Sequence, residues 1–394
     1  MNRSFYGWLA GATLSSFGDT TLFFALGWAA SALGPHVAGL VLTGFTLPRA
    51  VLLLAGGVLG DRWGPRRVLL TCYFLLAFLT LLLALAFKLT GTTATLLLLT
   101  AGVIGTVDAF ALPAAGAFPR LFADDATLPK AMALRTSTQQ VVTLAAGPLG
   151  GLLVATAGLV GALLIDGMTF GVAFACLLAI RPPLSTDAAP GKSVVKEALD
   201  GIRLAWSEPV LRALLLTVGL TAAFVLPVTS LCVPLLARSQ GWPASQAGLI
   251  VGATVVGSLL VTLVVARGGG FAVPGAAAAF GCLVAAGGIT GLGLSSVGYA
   301  AVLSAFVQGV GVGLFTSHLA PLFVASTPRS HLTRLQSLLS LAQTLPLVVS
   351  MNLLGGVAST GAQVAVLTCA AGTALAGATL LSSRSVRTAV VGVP

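Results

Sequence analysis

Twelve apolar runs, each long enough to cross a lipid bilayer, occupy most of the 394 residues. A helix rises about 1.5 Å per residue, so about 20 apolar residues span the hydrocarbon layer. Breaking the chain at clusters of charge, Pro and Gly places the runs at 5–32, 37–60, 66–89, 94–119, 130–157, 159–180, 208–237, 244–266, 272–295, 297–325, 333–357 and 361–382. Only 8% of the residues are charged and 57% are hydrophobic, whereas a soluble domain needs about a quarter of its residues charged. Lipid is therefore the solvent for which this sequence is written. Six runs precede and six follow the longest polar stretch, RPPLSTDAAPGKSVVKEALDGIRLAWSEP (Arg181–Pro209). The expected fold class is an all-α membrane protein of twelve transmembrane helices in two pseudo-symmetric six-helix bundles. The first bundle takes residues 1–180, a cytoplasmic linker 181–207, the second bundle 208–382, and a cytoplasmic tail 383–394.

Lys and Arg accumulate on the cytoplasmic side of membranes. With the N-terminus inside, all of the 20 Lys and Arg residues fall at cytoplasmic ends or loops except Lys88, Arg238 and Arg49. This bias predicts cytoplasmic N- and C-termini in a multi-pass protein of the cell membrane. The formal charge of +10 does not point to nucleic acid, because basic residues occur singly or in pairs between apolar runs and form no basic stripe. The five cysteines lie inside apolar runs without C-x-x-C or Cys/His ligand spacing, so they read as small core hydrophobes and no metal site is expected. The first run carries Asp19, is too long for a signal-peptide core and ends without a small-residue cleavage pattern, so it is expected to remain as a span.

Within the linker, Val195, Leu199, Ile202 and Trp206 recur at helical spacing, with Lys196, Asp200, Arg203 and Ser207 on another face. That pattern predicts an amphipathic helix lying on the membrane surface. A faint internal duplication accompanies the two sets of six runs. GVIGTVDAFALP (Gly102–Pro113) and GVGVGLFTSHLAP (Gly309–Pro321) each set a Gly eight residues before a Pro, Gly105 before Pro113 and Gly313 before Pro321. Two related halves are the plan of many secondary transporters.

The densest charge falls in GGVLGDRWGPRRVLL (Gly56–Leu70), between the second and third runs. Arg62, Arg66 and Arg67 hold this turn on the cytoplasmic side, where they reach acidic groups or anionic lipid heads. Asp61 ends a helix there, and Gly57 allows close helix packing. Topology anchoring alone requires neither the Asp nor the Gly spacing. The pattern G-x-x-x-D-R-x-G-x-R, here Gly57, Asp61, Arg62, Gly64 and Arg66, resembles the loop 2–3 signature of the major facilitator superfamily, and the likeness covers essentially the whole chain. SSFGD (Ser15–Asp19), DRWGPRRVLL, LPKAMALRTS (Leu128–Ser137), GPLGG (Gly147–Gly151) and LIDGMTF (Leu164–Phe170) look like the branch of bacterial drug and natural-product exporters that includes macrolide and siderophore efflux proteins.

The resemblance implies alternating access, with a cytoplasmic gate in which Asp61 reaches the start of helix 11 near Arg334 and Arg120 completes a charge network. Pro65 stands where the family usually has an Arg, which shifts the basic contact to Arg66. The matching loop of the second half, ARGGGFAVPG (Ala266–Gly275), has no Asp. Run 4 carries Asp108 and lacks the embedded Arg of many drug antiporters. Coupling is therefore expected in the first half.

An ionisable residue at mid-span is costly and is a functional candidate by default. Asp19, Arg49 and Asp108 each lie roughly 16–21 Å from the cytoplasmic ends of their spans, so they are expected at one depth and can form one buried polar cluster. Two acids competing for one Arg leave one free to take a proton. A permanent Asp–Arg pair tying two helices together is the structural alternative. Asp166, about seven residues from the outer end of its run, reads as a structural residue near the rim that reaches water. Gln139, Gln140, Gln308, His318, Gln343 and Asn352 are candidates to line a substrate cavity, with helix–helix contacts as the alternative. In GPLGG, Gly147, Pro148 and Gly151 predict a hinge, because Pro removes a backbone hydrogen bond and Gly lets a neighbouring helix approach.

These features predict a secondary active transporter that exports hydrophobic or amphiphilic small molecules, such as a drug, antibiotic or natural product, by proton antiport. It is expected to work as a monomer, with protons and the lipid bilayer as its other partners and with no cofactor. Uptake of a small metabolite and a non-transporting membrane receptor or scaffold are the alternatives. No Ser-His-Asp set, metal cluster or phosphate-binding loop marks an enzyme.

Overall fold

The computed structural model describes residues 3–122, 127–180, 206–269, 271, 273–325 and 332–382. Among these residues the chain forms twelve long helices: α1 (Arg3–Ser31), α2 (Pro35–Trp63), α3 (Pro65–Thr90), α4 (Ala94–Ala117), α5 (128–157), α6 (159–179), α7 (Pro209–Ser239), α8 (Ala244–Gly268), α9 (Pro274–Leu294), α10 (Gly298–Ala325), α11 (Leu332–Ala358) and α12 (Ala362–Ser382). Their ends fall within a few residues of the apolar runs because Pro and Gly punctuate them. Pro35, Pro65, Pro209 and Pro274 each occupy the opening turn of a helix, where the missing N–H has no partner to lose. α5 and α6 form one 52-residue run broken at Gly158, whose φ of 64° and ψ of −164° suit only glycine. The amphipathic helix expected in the linker lies outside the described residues apart from Trp206, and the tail at 383–394 lies outside them as well.

The chain divides into two compact units, Met1–Gly191 with Pro243–Gly248, and Lys192–Trp242 with Leu249–Pro394. In the first unit α1 packs along the α5–α6 run, and α2 packs along α4. Lipid supplies little hydrophobic drive between helices, so small residues that let backbones close do much of the work. Gly7, Gly11, Ser15 and Gly18 form such a stripe on α1. A Cβ on Gly7 would meet Ile180 at 3.3 Å, and one on Gly11 would meet Ala173 Cα at 3.2 Å. Between α2 and α4, Gly105 closes directly on the Phe45 carbonyl.

The second unit repeats the device. Gly313, the residue that matches Gly105 in the duplicated stretch, lies against Ser258 of α8, where a Cβ would come within 2.7 Å of the backbone carbonyl. Each half therefore uses the matched glycine to bring its fourth helix onto its second. The core of this unit gathers Leu211, Leu214, Val218, Cys282, Phe315 and Leu319. All five cysteines are free thiols, and the Cys232 and Cys369 sulfurs lie 3.9 Å apart.

Candidate functional site

Close packing of α2 on α4 sets the register of the mid-span charges. Arg49 lies one turn beyond Phe45, and Asp108 one turn beyond Gly105, so the Gly105–Phe45 contact brings the two charges face to face. Arg49 Nη2 lies 3.6 Å from Asp108 Oδ2, and the guanidinium sits over the Phe45 ring, 5.1 Å from its centroid. Phe45 in turn touches Phe23 of α1, with ring centroids 5.0 Å apart. A tight carboxylate–guanidinium pair closes to about 2.7–2.9 Å with two parallel hydrogen bonds. Here the charges attract without one, and Asp108 Oδ2 has no hydrogen-bond partner.

Asp19 of α1 joins this pair, and its buried carboxyl interacts electrostatically with both Asp108 and Arg49. Asp19 Oδ1 is buried with no protein hydrogen-bond partner. Among the described residues, Asp19, Arg49 and Asp108 thus form one cluster of two acids and one cation.

Asp166 departs from the reading of the sequence. Counting along its run puts it near water, yet it is fully buried. The reason is Gly18, which puts no side chain between α1 and α6. A Cβ there would come within 2.8 Å of Asp166 Oδ1 and would overlap the Thr169 hydroxyl. Neither carboxyl oxygen of Asp166 has a hydrogen-bond partner. The signal lay in the spacing Gly7, Gly11, Ser15, Gly18, which marks the face of α1 that closes on α6. Among the described residues no group of three or more His, Cys, Asp or Glu is placed to hold a metal ion.

Around the loop between α2 and α3, Arg66 has a definite role. Its Nε donates to the Ile180 carbonyl at 3.1 Å, and Nη2 donates to Leu177 at 3.1 Å and Leu178 at 3.4 Å. These are the last carbonyls of α6, which have no partner within the helix and carry the negative end of its dipole. Arg66 is therefore the C-cap of α6. Gly64 turns the chain at φ 81°, Gly57 has open space where a Cβ would stand, and Arg62 and Arg120 are exposed. The expected gate network falls on the side chains of Asp61 and Arg334, which lie outside the described ones.

In α5 the backbone stays helical through Gly147, Pro148 and Gly151, and leaves the helix only at Gly158. The bend expected at Pro148 is thus a packing site in this structure. Gly150 rests on Thr21 of α1, and a Cβ on Gly151 would come within 2.7 Å of Gly248 Cα.

The polar residues expected to line a cavity have varied surroundings. His318 is buried, with Nδ1 donating to the Leu314 carbonyl at 2.8 Å and Nε2 accepting the Phe271 N–H at 3.0 Å. It fastens the chain after α8 to α10, stacked on the Phe271 ring. Asn352 is exposed and donates to the Val348 carbonyl at 3.1 Å. Gln139, Gln140 and Gln343 are exposed, while Gln308 is buried with neither amide atom partnered. None of the six lines the three grooves that follow. One groove of 630 Å³ runs between α1 and α5, beside Tyr6, Leu9, Phe17 and Val141. Another of 490 Å³ runs between α7 and α11, beside Trp206, Arg212, Leu216 and Leu345. A smaller one of 280 Å³ lies among α2, α3 and α4. All are lined almost wholly by apolar side chains.

No curated protein matches the chain in sequence. Solved transporters share its fold. A bacterial homolog of the human lysosomal transporter Spinster superposes with a TM-score of 0.75 at 15% identity, covering 98% of both chains. A bacterial homologue of the iron transporter ferroportin gives 0.75 at 18% identity over 98% of this chain and 99% of that one. The nucleoside transporter NupG gives 0.76 at 13% identity over 97% and 99%. At these identities the likeness is one of fold. The sequence model of the Major Facilitator Superfamily matches residues 8–298, and with twelve helices in the order that the fold requires, the chain belongs to the Major Facilitator Superfamily of multi-pass membrane transporters.

Proposed function

We propose that this protein exports hydrophobic or amphiphilic small molecules, of the drug, antibiotic or natural-product kind, in exchange for protons moving inward. The observation that carries this reading is the convergence of two acids, Asp19 and Asp108, on one loosely paired cation, Arg49. With a proton present, Arg49 and one carboxylate balance. Once it leaves, two carboxylates compete for one guanidinium, and the contacts among α1, α2 and α4 change. A ligand-linked shift of that kind is what alternating access needs from a coupling site.

The apolar grooves favour an apolar or amphiphilic cargo over the nucleoside or iron named for two of the fold neighbours. The motifs resembling the exporter branch, from SSFGD to LIDGMTF, support the outward direction. The Lys and Arg distribution supports a cell-membrane protein with both termini in the cytoplasm, and Asp61, Arg62, Arg120 and Arg334 remain its gate candidates.

Efflux of a hydrophobic dye from vesicles, measured with and without a pH gradient, tests the reading. Asp19→Asn and Asp108→Asn keep the shape and remove the proton site. At least one of them is expected to abolish gradient-driven efflux while dye binding persists. Unchanged export in both variants would reduce the cluster to a structural tie.

A further inference from the structure

We propose that Asp166 is a second proton-binding group of the first unit, holding its proton while the α1–α6 contact is closed and releasing it when that contact opens to water. This rests on the proton-coupled reading above and adds a site to it. The Asp166 side chain is fully buried, and neither of its oxygens has a partner. An ionised carboxylate enclosed with no donor is far costlier than the neutral acid. Among the described residues, the ionisable groups that act on it electrostatically are Asp19 on α1 and Asp108 on α4, both acidic. On α3 the titratable neighbour is Tyr73, whose ring lies 5.8 Å from that of Phe170, one turn beyond Asp166. Arg49 on α2 is engaged with Asp108. Counting charge, one carboxylate of the Asp19–Asp108 pair balances Arg49 and the other carboxyl keeps its proton. Among the described residues no cation is paired with Asp166, since Arg49 lies with Asp108 and Arg135 of α5 acts on Tyr73, so it keeps a second.

The geometry also separates an exchangeable proton from a permanent one. A carboxylic acid that stays neutral in a folded core donates its O–H and accepts at its carbonyl. Asp166 does neither. The nearest hydroxyl, that of Thr169, donates to the backbone carbonyl of Asp166 at 2.8 Å and not to its side chain. Its partners must come from water or from another arrangement of the helices. The bare backbone at Gly18 means that a small widening between α1 and α6 admits water to Asp166 and Asp19 together. In that step the carboxyl O–H bond of Asp166 breaks, water takes the proton as hydronium, and the carboxylate left behind is hydrated.

Infrared spectroscopy of the full-length protein in lipid nanodiscs, titrated from acid to alkaline pH in H2O and D2O, tests the proposal. The expected result is a carboxylic C=O band that shifts on deuteration, vanishes on alkalinisation and is missing from Asp166→Asn, with one proton fewer released per protein. A band that is missing from Asp166→Asn but neither exchanges nor titrates in the wild type overturns the proposal, as does no difference between the two proteins. Should Asp166→Asn fail to fold, the Asp19→Asn/Asp108→Asn double variant leaves Asp166 as the remaining mid-span carboxyl, and the same band must titrate there. In proteoliposomes carrying ethidium as the probe, Asp166→Asn is expected to keep downhill dye movement and to lose about tenfold in pH-driven accumulation. If the wild type moves no dye under a pH gradient, the exporter reading falls, and the infrared titration still decides the role of Asp166.

Discussion

Arg49 and Asp108 attract each other across 3.6 Å, with 27% of the Arg49 side chain exposed. Breaking an enclosed, hydrogen-bonded pair costs about 3–5 kcal/mol, whereas a partly solvated contact contributes about 1 kcal/mol or less. A double-mutant cycle with Arg49→Gln and Asp108→Asn, read by unfolding in mild detergent, is therefore expected to give a coupling of about 1 kcal/mol. A coupling above about 3 kcal/mol would identify the pair as a tie between helices and not as an exchangeable site. The cluster was legible in the sequence because a charge inside an apolar run has no inexpensive explanation. Asp166 was read at the wrong depth of burial. Distance from the end of a run measures position along a helix but says nothing about the facing surface, and that surface is set by Gly18. Neutral polar residues carry the weakest signal in a sequence. A His or Asn in a helix can satisfy itself on the carbonyl four residues back, as His318 does on Leu314 and Asn352 on Val348.

Two glycines of α4, three residues apart, have opposite surroundings. A Cβ on Gly102 would meet nothing within 4 Å, whereas one on Gly105 would run into the backbone of Phe45. Gly102→Ala is expected to stabilise the protein by about 0.5–1 kcal/mol, the usual gain of replacing Gly inside a helix. Gly105→Ala is expected to cost about 1–3 kcal/mol by overpacking and to lower gradient-driven efflux as well, because the same contact aligns Arg49 with Asp108. Equal stability of the two variants, measured side by side, would show that α2 and α4 do not close at Gly105. Helix boundaries were legible because Pro and Gly act locally, and the break at Gly158 falls in the gap between the fifth and sixth runs. Which glycine meets which neighbour was not legible, since that depends on residues distant in the chain. Pro148 shows the same limit: the residue permits a bend, but the surrounding helices keep α5 helical through it.

At the scale of the whole molecule, hydrophobicity and Lys/Arg placement together predict the membrane topology. In a background cleared of the five native cysteines, a single cysteine at Arg62 is expected to label from the cytoplasmic side and one at Gly91 from the outer side. The reverse pattern would invert the protein and, with it, the proposed direction of proton exchange. The number of helices was open to sequence reasoning because each must satisfy its own backbone in lipid. The assembly of a unit was not, because it depends on contacts such as that of Arg66 with the end of α6. The acceptors at Leu177 and Ile180 lie 111 and 114 residues later in the chain. A ribosome adds about 5–20 residues per second, so roughly 6–20 s pass between the synthesis of Arg66 and that of its partners. Throughout that interval the guanidinium has only water and lipid headgroups to meet, and the start of α3 stays unfastened until α6 has been made. The birth of the sixth helix is thus the event that closes the first half, and a chain stopped short of Leu177 keeps an unclaimed arginine as the mark of its incompleteness.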